Sequence, residues 1–429
     1  MPSRAPPVSR QCAVTCGMPS PPGLIGRVTA PEVVSRIWRS EAARLVAGLT
    51  RMTQDLGLAE DLAQDALVAA LEQWPEQGVP DNPGAWLMAV SKRRAIDHFR
   101  RAARLRALEP SLAPEPEMPD LDAAVDHIED DVLRLMFTAC HPVLTTESRV
   151  ALTLRLVGGL STREIARAYL SSEATVAQRI SRAKRTIAEA GVPFEVPSGP
   201  ERPERLASVL EVVYLIFNEG YAATSGDDWV RPALSDEALR LGRLLASLAP
   251  REPEVHGLLA LMQLQASRSA ARIGPSGEAV LLRDQDRGRW DRELIAAGLE
   301  SLRRAGRGPY GLQAAIAACH AVAPTVEETD WVRNASLYTE LAVVTGSPVV
   351  ELNRAVAVAQ AYGPAAGLEI VDGLREHRAL RDYHLLPSVR GELLSSLGRA
   401  DEARAEYARA AELATNEQER ALLRRRAGS

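Results

Sequence analysis

Seven cationic side chains crowd one short stretch of the sequence: Lys92, Arg93, Arg94, Arg100, Arg101, Arg104 and Arg106 lie within fifteen residues and oppose a single acid, Asp97. Charge at that density suits a row of phosphates, because each contact releases condensed counterions and so adds to affinity. A second polar set, Thr175, Gln178, Arg179, Arg182 and Arg185, recurs at helical spacing opposite Val176, Ile180 and Ile187. Gln and Arg are the side chains that pair with base edges, whereas Arg182, Lys184 and Arg185, further along, suit phosphates. The chemistry on offer is recognition. Catalysis finds little support: the seven histidines are scattered, and in the neighbours Cys140-His141 and Cys319-His320 the side chains point about 100° apart on a helix, unlike a nucleophile–base dyad. The four cysteines, Cys12, Cys16, Cys140 and Cys319, lack the spacing of a zinc site. No catalytic residue, metal or cofactor is expected.

The elements that must hold these residues can be read from caps and periodicity. A helix ending at Gly158-Gly159 has glycine for a left-handed cap. Ser161 with Glu164 three residues on forms a capping box that opens the next helix. The break Leu170-Ser171-Ser172 leads into a third helix, held inward by Val176, Ile180 and Ile187. Two capped helices joined by a tight turn, the second basic, predict a helix-turn-helix over Ser161–Ala190 with Ser172 and Thr175 near the DNA. Upstream, Leu58–Trp74 reads as a helix with Leu62, Ala66 and Ala70 inward and an acidic face at Asp61, Gln64 and Asp65. A loop over Pro75–Asn82 follows. Pro83 then opens the basic helix, with Trp86, Ala89, Val90 and Ile96 as its buried face.

The 429 residues exceed one ordinary core. Hydrophobic residues make up 46% and aromatics 4%, an Ala/Leu-rich mix that points to an all-α fold. Lys+Arg 51 against Asp+Glu 56 gives a net charge of −5, but DNA responds to the local field, not the average. No apolar run is long enough for a membrane span, and the proline-rich start lacks the apolar core of a signal peptide, so a cytoplasmic chain is expected. The organisation reads as a disordered tail (1–30), a helical domain (31–107), a Pro- and acid-containing linker (108–121), a second helical domain (122–192), a Pro/Gly-rich break (193–204) and a helical extension (205–429). A short hairpin over Ile273–Leu282 is the best strand candidate. Gly391, Gly398, Ala403, Tyr407 and Ala410 fall where a tetratricopeptide unit places its small and aromatic contacts, and Val350–Leu374 repeats the layout about one ~34-residue period earlier.

The segments EDLAQDALVAALEQW and PGAWLMAVSKRRAIDHFRR resemble region 2 of the extracytoplasmic-function group of sigma-70 factors, and GGLSTREIARAYLSSEATVAQRISRAKRTI resembles its region 4. The segments YLIFNEGYAAT, RDQDRGRWD, LNRAVAVAQ and HLLPSVRGELLSSLGR look like a subgroup with a large tetratricopeptide-like extension. The resemblance implies that Asp61, Gln64 and Asp65 face the β′ clamp helices of core RNA polymerase, with the β subunit a further partner. It implies that the loop from Trp74 to Asn82 captures an unstacked base of the −10 element, and that Lys92, Arg93, Arg94, Arg100 and Arg101 track its backbone. Ser172, Thr175, Gln178, Arg179, Arg182, Lys184 and Arg185 would engage the −35 element. Trp74, Trp86 and Phe99 are a thin aromatic supply for stacking, implying fewer melted bases and stricter promoters. A regulatory protein on the extension is a further implied partner. A regulator that never joins the polymerase would explain Ser161–Ala190 but not Leu58–Arg106.

Overall fold

The computed structural model describes residues 30–108, 128–221, 231–274, 280–414 and 417–428. Among these residues the fold is all-α, eighteen helices with no strand. The tail and first linker expected from the sequence lie outside the described residues except for Ala30 and Leu108, as do Cys12 and Cys16.

The first unit comprises α1 (Ala30–Thr53), α2 (Leu56–Gln77) and α3 (Pro83–Leu108). α2 starts where the Asp55 side chain accepts from Leu58 N, relieving one orphan amide of the first turn. Its inward face is mostly alanine, with Ala59, Ala63, Ala66 and Ala70 all fully buried; small side chains let α1 and α3 approach closely. The sequence reading needs two corrections here. α2 runs through Pro75 to Gln77, so the loop is shorter than Pro75–Asn82; buried Trp74 anchors the last turn, and Gly78 N closes it on Trp74 O at 3.0 Å. On α3 the fully buried face is Leu87, Ser91 and Ala95, while Trp86, Val90 and Ile96 are partly covered and Ala89 is exposed. Ser91 Oγ donates to Leu62 O across the contact at 3.3 Å, turning the helix slightly from the expected stripe.

The second unit comprises α4 (Ile128–Ala139), α5 (Thr146–Leu156), α6 (Thr162–Ala168) and α7 (Glu173–Glu189). The extension begins with α8 (Arg202–Tyr221), α9 (Pro232–Leu248) and α10 (Pro253–Ala266). It continues through α11 (Arg292–Arg303), α12 (Pro309–Val322), α13 (Trp331–Thr345), α14 (Pro348–Tyr362), α15 (Pro364–Leu374), α16 (Leu385–Ser396), α17 (Ala400–Leu413) and α18 (Glu417–Gly428). Proline at the first helical position starts several of them, where its missing N–H costs nothing. From α12 to α18 each helix packs on the next in the chain. At Gly391 an added Cβ would stand 3.0 Å from the Tyr407 ring, and at Gly367 it would meet Ala359 Cβ at 2.6 Å, so both glycines are contact points between neighbouring helices. Of the hairpin expected over Ile273–Leu282, residues 275–279 lie outside the described residues; at its ends Ile273 makes an isolated bridge and Val280 N donates to Arg272 O at 2.8 Å, and short 3-10 turns lead from there to α11.

One hydrophobic core runs from Val34 to Met262, through both N-terminal units and into α8–α10. Smaller clusters serve the rest of the extension. No described helix is long and apolar enough to cross a membrane.

Candidate nucleic-acid interface

Local chemistry builds the helix-turn-helix. Ser161 Oγ accepts from Glu164 N at 3.2 Å while Ser161 N donates to Glu164 Oε2 at 2.8 Å, a complete capping box. Ile165 and Ala166 are buried, and Leu170 closes the turn at φ 47°. Ser172 caps α7 by accepting from Thr175 N at 3.0 Å, and the two hydroxyls pair at 2.8 Å. Val176, Ile180, Ala183 and Ile187 form the buried stripe of α7. Opposite them Thr175, Gln178, Arg182 and Arg185 are exposed and Arg179 is half-buried.

Lys184 departs from the expected pattern. It is half-buried, and its Nζ lies 2.9 Å from Glu60 Oε2 and 3.8 Å from Asp61 Oδ1 on α2. Arg155 Nε on α5 donates to Glu60 Oε1 at 2.6 Å. Burial by itself pushes the Glu60 carboxyl up, but Arg155 and Lys184 outweigh it and hold it below the ordinary carboxylate value. In this arrangement the Lys184 charge is already compensated, and a phosphate contact would require the pair with Glu60 to part. Glu60 went unnoticed in the sequence, although it interrupts the inward positions Leu56, Ala59 and Ala63, and an acid inside an apolar stripe calls for a buried partner.

A second ion pair, Arg39–Glu164, joins α1 to the capping box. Burial raises the Glu164 carboxyl, and the Ser161 amide and hydroxyl with Arg39 more than reverse this. The glycines before the capping box do two jobs. Gly159, at φ +67°, takes the left-handed turn and sits 3.2 Å (as Cβ) from Ala42 of α1; an added Cβ on Gly158 would stand 3.0 Å from Glu237 Oε1 of α9. The turn is thus wedged between the first unit and the extension.

On the first unit, Arg93, Arg100, Arg101 and Arg104 are exposed, with no ion pair seen among the described residues. Lys92 is half-buried, and Arg94 Nη1 is 3.0 Å from Asp65 Oδ2. Asp61 and Asp65 are exposed on α2, and Gln64 lines a groove with Arg39, Ser161 and Glu164. Asn82 is exposed and caps α3, accepting from Ala85 N at 3.0 Å. Trp74 is only 5% exposed and packs edge-on against Trp86, ring centroids 5.3 Å apart. In this arrangement the Trp74 ring is core, and the loop between α2 and α3 is residues 78–82.

The polar motifs of the extension are engaged in ion pairs and hydrogen bonds within the fold. Glu219 pairs with Arg231. Arg287 stacks on Trp290, centroid distance 4.7 Å, and donates to His320 O and Ala323 O at 2.5 and 2.6 Å, closing the end of α12. Cys140 and Cys319 are buried free thiols, and burial pushes Cys140 up to about 12.

Comparison with known proteins gives these units names. Residues 37–105 match sigma-70 region 2, residues 134–187 match sigma-70 region 4, and residues 205–306 match a family of unknown function. An uncharacterized protein of Rhizobium meliloti (strain 1021) is 46% identical over 398 residues, covering 90% of this chain and 93% of that protein. The probable ECF RNA polymerase sigma factor SigI of Mycobacterium tuberculosis is 31% identical over 178 residues, 40% of this chain and 60% of that factor. The ECF RNA polymerase sigma factor SigL of the same species is 32% identical over 178 residues, 39% of this chain and 96% of that factor. No solved structure matches the chain.

Proposed function

The chain belongs to the ECF family of RNA polymerase sigma factors, and from that premise we propose that it binds core polymerase and directs initiation at promoters with separate −10 and −35 elements. The observation that carries this reading is the pairing of two basic helices in one chain, α3 in region 2 and α7 in region 4. Asp61, Gln64 and Asp65 meet the β′ clamp helices. Arg93, Arg100 and Arg101, with Lys92 and Arg94 beside them, follow the −10 backbone, and the loop ending at Asn82 takes a flipped base. Gln178 and Arg179 read −35 bases while Arg182 and Arg185 hold phosphates. The factor acts in the cytoplasm without a cofactor and is not itself an enzyme. The helical extension after residue 204 is a tetratricopeptide-like scaffold that regulates this activity and offers a surface to a regulatory protein.

On this reading the chain opens to work. Elements 25 base pairs apart lie roughly 85 Å apart at ~3.4 Å per base pair, whereas α2 and α7 touch through Lys184 and Glu60. Regions 2 and 4 must part before both elements are held.

The test uses purified full-length protein and core polymerase. Co-elution and run-off initiation from a cognate promoter are expected; a protein that binds DNA but neither joins core nor initiates is a conventional regulator instead. Gln178→Ala and Arg179→Ala should each weaken a −35-dependent promoter by ~1–3 kcal/mol, and equal losses on scrambled −35 DNA would rule out base readout.

A further inference from the structure

Helices end with carbonyls that no helical amide reaches, and each needs a partner when it is buried. The three helices of region 4 that precede the recognition helix all find such partners in the extension. Arg205 Nη2 and Ser208 Oγ, on α8, donate to Phe137 O and Cys140 O at the end of α4, at 3.0 and 2.6 Å. Arg240 Nη2, on α9, donates to Val157 O at the end of α5, at 2.9 Å. Arg231, just before α9, donates to Ala168 O, the last residue of α6, at 2.6 Å. Among the described residues no loop or turn amide reaches these four carbonyls. A guanidinium is well suited to the place, because it meets the negative end of the helix dipole and forms a charge-assisted bond.

These arginines are themselves held. Glu237 grips Arg240 through both carboxylate oxygens at 2.7–3.2 Å, and Glu219 pairs with Arg231. The loop after α5 lies directly on α9, since a Cβ on Gly158 would crowd Glu237. α6 is only seven residues long and leaves through Leu170 in the left-handed region at φ 47°, a conformation a leucine holds only when its surroundings impose it. Arg231 secures the carbonyl two residues before that strained turn, and two residues after it Ser172 starts α7. α7 packs chiefly on α5, α6 and α2, so the extension acts on it through the helices it caps.

We propose that Arg231 and Arg240 are positioning residues for −35 recognition: the extension completes the helix-turn-helix from outside by capping α5 and α6, and so sets the direction of the recognition helix. The proposal rests on the reading of α7 as the −35 helix. It makes the extension a working part of region 4 and not only a cover over it.

The test compares full-length wild type, Arg240→Met, Arg231→Met and the corresponding lysine variants in binding to duplexes with an intact or scrambled −35 element. Methionine keeps the length and loses the donors; lysine keeps a donor and the charge. Each methionine variant should lower the intact-to-scrambled affinity ratio about ten-fold, lysine should recover much of it, and affinity for a single-stranded −10 oligonucleotide should stay as in wild type. Amide exchange should quicken in α5–α7 and not in α1–α3. Arg231→Met strips Glu219 of a buried partner and risks the fold; Arg240→Met, whose side chain is 35% exposed, keeps the question answerable. An unchanged ratio in Arg240→Met with unchanged exchange in α5–α7 overturns the proposal. A wild-type chain with no preference for intact −35 DNA fails the promoter reading itself, and the positioning role falls with it.

Discussion

The two basic helices, α3 and α7, differ in what their charges face. On α3 the exposed arginines 93, 100, 101 and 104 have no ion-pair partner among the described residues, and the one pairing seen, Arg94 with Asp65, is exposed and weak. On α7 one cation, Lys184, is drawn into a half-buried pair with Glu60 that Arg155 shares. The contrast comes from position: α3 lies on the outside of its unit, and α7 lies between region 2 and the rest of region 4. A run of cations therefore does not define a nucleic-acid face until the acids packed against it are known.

The strongest way to break this comparison is to remove its centre. Glu60→Ala leaves Arg155 and Lys184 beside a buried void and should cost about 3–5 kcal/mol, read from denaturant unfolding of the full chain; a loss below about 1 kcal/mol would mean that the pair is not a structural link. Acid should act in the same direction. The Glu60 and Glu164 carboxyls both lie below the ordinary value of 4.5, so their contribution is complete above that value and is lost as pH falls through the lowered pKa values. A fluorescence pair on α2 and α7 should separate on acidification below about pH 4.5, and Glu60→Gln should weaken that response; the same pH profile in both proteins would place the transition elsewhere.

A finer test sets Lys184 against its neighbours. On a −35-only duplex, Arg182→Ala should flatten the salt dependence by about 0.9 in log–log slope, the value for one phosphate contact. Lys184→Ala should leave that slope nearly as in wild type while Glu60 holds the ammonium group. A full unit of slope lost in Lys184→Ala would show that the lysine leaves Glu60 for the phosphate. The smallest effect concerns Trp74. Its indole N–H has no hydrogen-bond acceptor among the described residues, so Trp74→Phe forfeits only packing, about 1–2 kcal/mol. Affinity for −10 single strands should not change; a large drop there would return base capture to Trp74.

Much of this protein was legible in its sequence because the signals are local. The capping box at Ser161 and Glu164, the apolar stripe of Val176, Ile180 and Ile187, and the inward Leu62, Ala66 and Ala70 are set by bonds and periodicities spanning a few residues. Gly363-Pro364 and Gly346–Pro348 likewise separate helices where turn residues stand. The errors were nonlocal or lay at element ends. α2 outran Pro75 because buried Trp74 held its last turn, and α3 rotated because Ser91 found Leu62 O.

The sequence by itself determined an all-helical chain with two basic helices, one of them in a helix-turn-helix, since charge, caps and helical period are properties of neighbouring residues. Only the tertiary structure decided which of those charges stay open. Glu60 and Lys184 are 124 positions apart, and Arg240 and Val157 are 83 apart; no spacing rule reaches across such distances. Burial then does the rest, because a charge or carbonyl removed from water must take whatever partner the fold brings within reach.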